Sequence, residues 1–238
     1  RDPNGQRISD AVVFAASGGI GFHYVVVGAG RAARMILEGT ARGSSARTDL
    51  VDETAVRLGA TVATEAFDDE VAAENALVGH VQAGAAAVVW VDRASLPYDR
   101  MPVGYERTLA HLVGVVSCDL ASEELSIDDR ASRTLPIDAT RLRLVRALSP
   151  VARSRLGVIR AGEPLSAPVF GARVLASLAA GASAHAGSPL GNRGVAGMRT
   201  LAHRIRDPSP PQAWRRIYGR TVSLFHAHAA LYRYIEEG

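Results

Sequence analysis

The chain has 238 residues, 47% apolar, 21% charged and 5% aromatic: enough for one large globular domain or two small ones, and unlike disorder, collagen or coiled coil. The net charge is only +3, yet all 27 basic residues are arginine, which excludes Schiff-base lysine chemistry and a phosphate-loop lysine within this chain. A single cysteine, Cys118, excludes an internal disulfide framework or a cysteine-built zinc site and fits a reducing cytoplasm.

Taken in chain order, Ile8 to Ala16 has helical spacing and ends at the cluster Ser17-Gly18-Gly19-Ile20-Gly21. His23 to Val27 reads as a buried strand. Asp49 to Leu58 and Asp68 to Gln82 are predicted helices, the second with a stripe of Val71, Leu77, Val78 and Val81, acids in its first turn and Gly84 as its stop. Ala85 to Val91, Leu109 to Cys118 and Leu125 to Asp129 are predicted strands. Beyond Pro136 the spacing turns helical, over 138–147, 149–160, 167–181, 193–206 and 212–236. The expectation is an α+β chain with a boundary near residue 136, giving an α/β domain over 1–136 and an arginine-rich helical domain over 137–238. The longest apolar run, Ala85 to Val91, is far shorter than the roughly 20 residues that span a bilayer, so no membrane helix is expected. No signal-peptide pattern opens the chain, and a start on Arg1 instead of methionine leads us to expect a preceding segment.

Charge divides unevenly: residues 1–120 hold 10 arginines against 15 acids, and 121–238 hold 17 against 9. Between Arg130 and Arg220 the only acids are Asp138, Glu163 and Asp207. Such a field either solubilises the protein or steers an acidic partner. Nucleic acid is not indicated, because no aromatic residues are interleaved for stacking and no zinc or helix-turn-helix pattern appears.

Two patterns carry candidate chemistry. Val25-Val26-Val27-Gly28-Ala29-Gly30-Arg31-Ala32-Ala33 matches the strand-GxGxxA-helix fingerprint of dinucleotide binding, although no strand follows in Gly39 to Asp49, and a glycine turn between strands explains it equally. The second is His111 with Asp129. If Asp119 to Ser122 form a hairpin turn, residue 111 lies opposite 129 or 130, within imidazole–carboxylate reach. A carboxylate holding one ring nitrogen fixes the tautomer and leaves the other as a base. A register slip would bring Asp128 across instead. Cys118 is a poor nucleophile for that base: it is seven residues along the same strand, roughly 23 Å away and on the opposite face, and reads as a core thiol. Ser17 lacks a GxSxG elbow. His226 and His228 are spaced to face different sides of a helix, and His23, His80, His185 and His203 stand alone, so no metal site and no cofactor are expected.

Several blocks together resemble the BtrH-like family, named for the acyltransferase of butirosin biosynthesis: Gly5-Gln6-Arg7-Ile8-Ser9-Asp10-Ala11 running into Phe14; Gly18-Gly19-Ile20-Gly21-Phe22 and Tyr24; Val88 to Asp92 with Leu96-Pro97-Tyr98; His111-Leu112-Val113-Gly114-Val115-Val116; and Asp129-Arg130-Ala131. The second half, with Gly194, Gly197-Met198, Leu201-Ala202 and Trp214, is similar to the domain of unknown function that accompanies it. The resemblance implies a papain-like cysteine-peptidase fold followed by a mainly helical C-terminal domain. Its implied activity is acyl transfer from an acidic acyl carrier protein to a small amine through a cysteine acyl-enzyme, in the cytoplasm and without membrane or nucleic acid. It implies His111 as general base and Asp129 as its orienter, with substrate contacts from Gly19, Gly21, Phe22 and Tyr24; Asp92 and Tyr98, at a strand end, are candidates for the acceptor amine. The family's nucleophilic cysteine sits on a helix upstream of Asn4, so here it is expected before Arg1. A thioesterase, peptidase or cyclase on the same fold, or a catalytically dead carrier-binding module, are the alternatives, and a homodimer is left open.

Overall fold

A computed structural model describes residues 2–17, 21–27, 34–38, 49–99, 101, 106–107, 110–119, 121–129, 133–151, 153–206 and 222–224. In chain order the elements are α1 (Asp10–Ala16), β1 (His23–Val27), β2 (Arg34–Glu38), α2 (Asp49–Arg57), β3 (Ala60–Ala66), α3 (Glu70–Gln82), β4 (Ala86–Asp92), β5 (Ala110–Asp119), β6 (Glu124–Asp128), β7 (Leu135–Asp138), α4 (Ala139–Ala147), β8 (Arg155–Ala161), α5 (Ala167–Ala186), α6 (Gly194–Arg206) and β9 (Val222–Leu224). The fold class is mixed α+β. The chain forms two compact units, one of Ser45–Glu163 and one of Arg1–Ser44 with Pro164–Gly238. Residue 136, where the sequence pattern changes, falls inside β7 and so within the first of these.

The Ser45–Glu163 unit is built on a six-stranded sheet in the order β3-β8-β4-β5-β6-β7, antiparallel throughout. One face carries Val89 and Val91, Val113 and Val115, Leu125 and Ile127, and Leu156 and Val158, all essentially buried. Each such side chain contributes about 1.5–3 kcal/mol on leaving water. Helices α3 and α4 pack against this sheet. The Asp69 carboxylate caps α3 by accepting from the Ala72 amide at 2.7 Å. The buried stripe of α3 is Ala73, Leu77 and Val81; Val71, expected in the stripe, is exposed. Asp138 caps α4 in the same way, through the Arg141 amide at 2.9 Å, and α4 buries Leu142 and Val145.

The helix expected over 149–160 is instead β8, inserted between β3 and β4. Leu156 and Val158 alternate across Gly157, where a Cβ would stand 2.8 Å from a Val88 methyl and 3.0 Å from one of Val62. Glycine is therefore what lets β8 lie flat between its neighbours, and pairing on both sides overrides the local helical spacing.

In the other unit β1 pairs antiparallel with β2, which pairs parallel with β9. The strand β9 lies in the span 212–236, for which a helix was expected; the rest of that span lies outside the described residues. Phe22, Tyr24, Met35, Leu37 and Leu201 form the core of this unit. Helix α5 packs with α1 and α6. By length and composition alone α5 is apolar enough to cross a membrane, a property the run Ala85 to Val91 does not reveal; only 11% of its most apolar window is buried.

Candidate active site

The ladder between β5 and β6 decides what His111 meets. Asp119 pairs with Glu124, Cys118 with Leu125 and Ser117 with Ser126; a bulge between Val115 and Ser117 then shifts the pairing to Val115 with Ile127 and Gly114 with Asp128. The turn is closed by Asp119, whose carboxylate accepts from the Ala121 amide and the Ser122 hydroxyl, and by Glu123 at φ 53°. Extended by one residue, the ladder sets Asp129 across from Val113, so His111 meets Asp129 diagonally and not directly opposite. Diagonal positions on one face are about 7–8 Å apart, a gap an imidazole spans. His111 Nε2 stands 2.8 Å from Asp129 Oδ1, with the side chains 16% and 2% exposed. A carboxylate only accepts, so Nε2 carries the proton and Nδ1 is the basic nitrogen. Asp128, the alternative acid, is exposed and alternates to the other face of the sheet beside Gly114.

A second donor fixes the carboxylate: the Tyr98 hydroxyl donates to Asp129 Oδ2 at 3.1 Å. Tyr98 is placed by a tightly tied loop after β4. Asp92, fully buried, accepts from the Ser95 hydroxyl at 2.5 Å and from the Arg107 amide at 3.0 Å. Arg93, also buried, pairs with Asp99 at 2.7 Å, and Arg141 of α4 donates to the Ser95 carbonyl at 3.0 Å. Leu96 anchors the loop in the core. Asp92 thus has both carboxylate oxygens engaged within its own loop, the geometry of a strand-end brace. Tyr98 points at the acid of the dyad, a role its sequence neighbourhood does not announce. The only local signal is a tyrosine following Leu96-Pro97 just after a buried strand.

Cys118 is at the far end of β5 from His111. The bulge returns it to the same face as Val113, correcting the expected opposite face, and it packs against the core cluster. Burial, with Asp119 beside it, pushes its thiol above the usual range. It is a partly buried thiol at the margin of the core, where a fully buried one was expected, and no partner for His111.

Phe22 and Tyr24 are core residues of their unit, with rings 6.2 Å apart, and the Tyr24 hydroxyl accepts from Arg204 at 3.5 Å. Gly21 is buried beside them; Gly19 lies outside the described residues. Ser17 spends its hydroxyl on the Phe14 carbonyl at 2.7 Å, within its own helix. The glycines of the GxGxxA pattern are likewise outside the described residues, but the elements on either side of them, β1 and β2, are an antiparallel pair with Val27 across from Arg34. The fingerprint requires a helix after the glycines, and the strand β2 stands where that helix would run, so the dinucleotide reading is not supported. His80 pairs with Glu65 at 2.9 Å, and among the described residues no group of three metal-ligating side chains assembles. The arginine-rich region is not uniformly available either: Arg146 is 3% exposed, and burial draws its guanidinium down to about 10 despite the nearby Glu74 and Glu70.

These features define an α+β protein that presents an imidazole oriented by a buried, doubly hydrogen-bonded carboxylate. The chain belongs to the family described as butirosin biosynthesis protein H, N-terminal, whose model matches residues 3–130. The match includes His111, Asp129 and Tyr98 and stops before β7, α4 and β8, although β8 lies inside the sheet. Membership points to a role in biosynthesis. No curated protein matches the chain significantly.

Proposed function

We propose that the protein is an acyltransferase of secondary-metabolite biosynthesis that moves an acyl group from a carrier-protein thioester to an amine through a cysteine acyl-enzyme. The observation that carries this reading is the 2.8 Å contact of His111 Nε2 with a buried Asp129, which leaves Nδ1 as the base. The thiol it serves is the family's cysteine, N-terminal to the block that begins near Asn4, on a papain-like fold. Nδ1 takes the thiol proton and the thiolate attacks the thioester carbonyl. The carrier's sulfur leaves with that proton. The amine then attacks the acyl-enzyme, giving its proton through Nδ1 to the departing enzyme sulfur. Asp129 stabilises the imidazolium formed in each half-reaction, and Tyr98 holds Asp129. Exposed arginines such as Arg133, Arg153, Arg155 and Arg160 supply charge suited to an acidic carrier.

The test is incubation of the protein, including the segment preceding Asn4, with an acyl-thioester analogue. Mass spectrometry should find an adduct on the upstream cysteine that forms far more slowly in His111→Ala. An unchanged adduct rate would overturn the base assignment. Product analysis with water, amine and peptide acceptors separates the transferase from a thioesterase, peptidase or cyclase.

A further inference from the structure

The end of α5 and the start of α6 line a cleft of about 240 Å³, open to solvent on one side, within the Arg1–Ser44 and Pro164–Gly238 unit. Its apolar walls include Phe22, Pro189 and Leu190, and its polar side chains are His185, Ser188 and Arg193. The walls are braced. The Tyr24 amide donates to the Asn192 carbonyl at 3.0 Å, and the Asn192 side-chain amide donates to the Tyr24 carbonyl at 3.0 Å. The Gly194 amide donates to the Phe22 carbonyl at 2.7 Å. Gly194 has φ +58°, and a Cβ there would run into the His185 carbonyl oxygen, so only glycine lets the two helix ends approach this closely.

Within this braced space the charges are unbalanced. Among the described residues, Nδ1 of His185 and Nε of Arg193 are buried with no hydrogen-bond partner, and no acidic side chain lines the cleft. A buried polar atom without a partner is costly, and more so on a charged group. Both side chains line the cleft, so a small rotation toward it is the move that gives these atoms an acceptor. The N-terminus of α6 adds a positive dipole end; the C-terminal end of α5 offsets part of it and leaves the Arg193 charge dominant. The volume is below the roughly 300–1,000 Å³ of drug-sized sites, which suits a small group and not a dinucleotide.

We propose that this cleft binds a small oxyanion, a carboxylate or phosphate group, held by Arg193 and His185. The inference does not depend on the His111 reading. The test is calorimetric titration of the whole chain with inorganic phosphate and, separately, with acetate, at constant ionic strength in chloride. Saturable binding of either anion, weakened at least tenfold in Arg193→Gln and also weakened in His185→Gln, is the expected result; which anion binds identifies the group. Absence of saturable binding by both anions, or affinity unchanged in the two variants, overturns the proposal. Should either variant fail to fold, amide shifts of Gly187 and Gly194 in the unaltered protein decide: saturable movement with the anion supports the site, and none refutes it.

Discussion

Replacing Asp129 by asparagine keeps the shape of the side chain and removes its charge. The carboxylate accepts from His111 on Oδ1 and from Tyr98 on Oδ2, and the side chain is 2% exposed, so neither bond is replaced by water. A hydrogen bond to a charged group contributes about 1.5–3 kcal/mol. Losing the charge alone is therefore worth roughly 10- to 150-fold in rate at about 1.36 kcal/mol per decade. An asparagine has one oxygen only. If that oxygen stays with Tyr98, the amide nitrogen faces Nε2, turns it into an acceptor and moves the ring proton to Nδ1, the atom needed as base. Inverting the tautomer in this way raises the loss toward about 10⁴-fold. Acylation by a thioester analogue, followed by mass spectrometry, measures the loss, and ring nitrogen shifts of His111 report the tautomer. Asp128→Asn is the matched control, because Asp128 is exposed on the other face, and it should stay within about threefold of the parent. An Asp129→Asn rate that also stays within threefold, with Nε2 still protonated, would falsify the dyad.

Tyr98→Phe removes one donor to the charged Asp129 carboxylate, a bond worth about 1.5–3 kcal/mol, and should slow acylation by at most roughly 10- to 150-fold with the fold intact by circular dichroism. A loss near about 10⁴-fold would show that the hydroxyl acts directly on the substrate. Cys118→Ala should leave acylation unchanged and lower the denaturation midpoint slightly, since the thiol is partly buried against the core and distant from His111; abolition of the adduct would reassign the nucleophile. Hydrogen bonds from the Ser122 hydroxyl and the Ala121 amide hold the Asp119 carboxyl below its usual 3.8. A lowered folded value means that the turn's stabilisation is complete above about pH 4 and lost as pH falls through that lowered value. A proton-detected titration of Asp119 should place its midpoint below that of Ser122→Ala, and equal midpoints would refute the contact.

Much of the site was legible from spacing alone. His111 and Asp129 stand on consecutive strands joined by a short turn, so any antiparallel hairpin brings them near each other. Their exact relation was not legible: the turn pairs Asp119 with Glu124 and not with Ser122, which removes direct opposition, and the bulge between Val115 and Ser117 then moves Asp129 from across Gly114 to across Val113, onto the face of His111, where the contact is diagonal. The same bulge decides the face on which Cys118 lies. Tyr98 reaches Asp129 across 31 positions of sequence, through a loop tied by Asp92, Arg93 and Arg141, and no local pattern encodes such a path.

The helices α3 and α4 were legible from apolar spacing and nearby acids, which are properties of neighbouring residues; the structure makes Asp69 and Asp138 their caps. The sequence by itself also determined what chemistry the chain lacks, through the absence of lysine and the lone Cys118. That 155–161 is a strand, and that residue 136 lies inside β7, came from the three-dimensional pairing. β8 takes its conformation from β3 and β4 on either side, and long-range pairing of this kind outweighs the modest preferences that a window of residues carries.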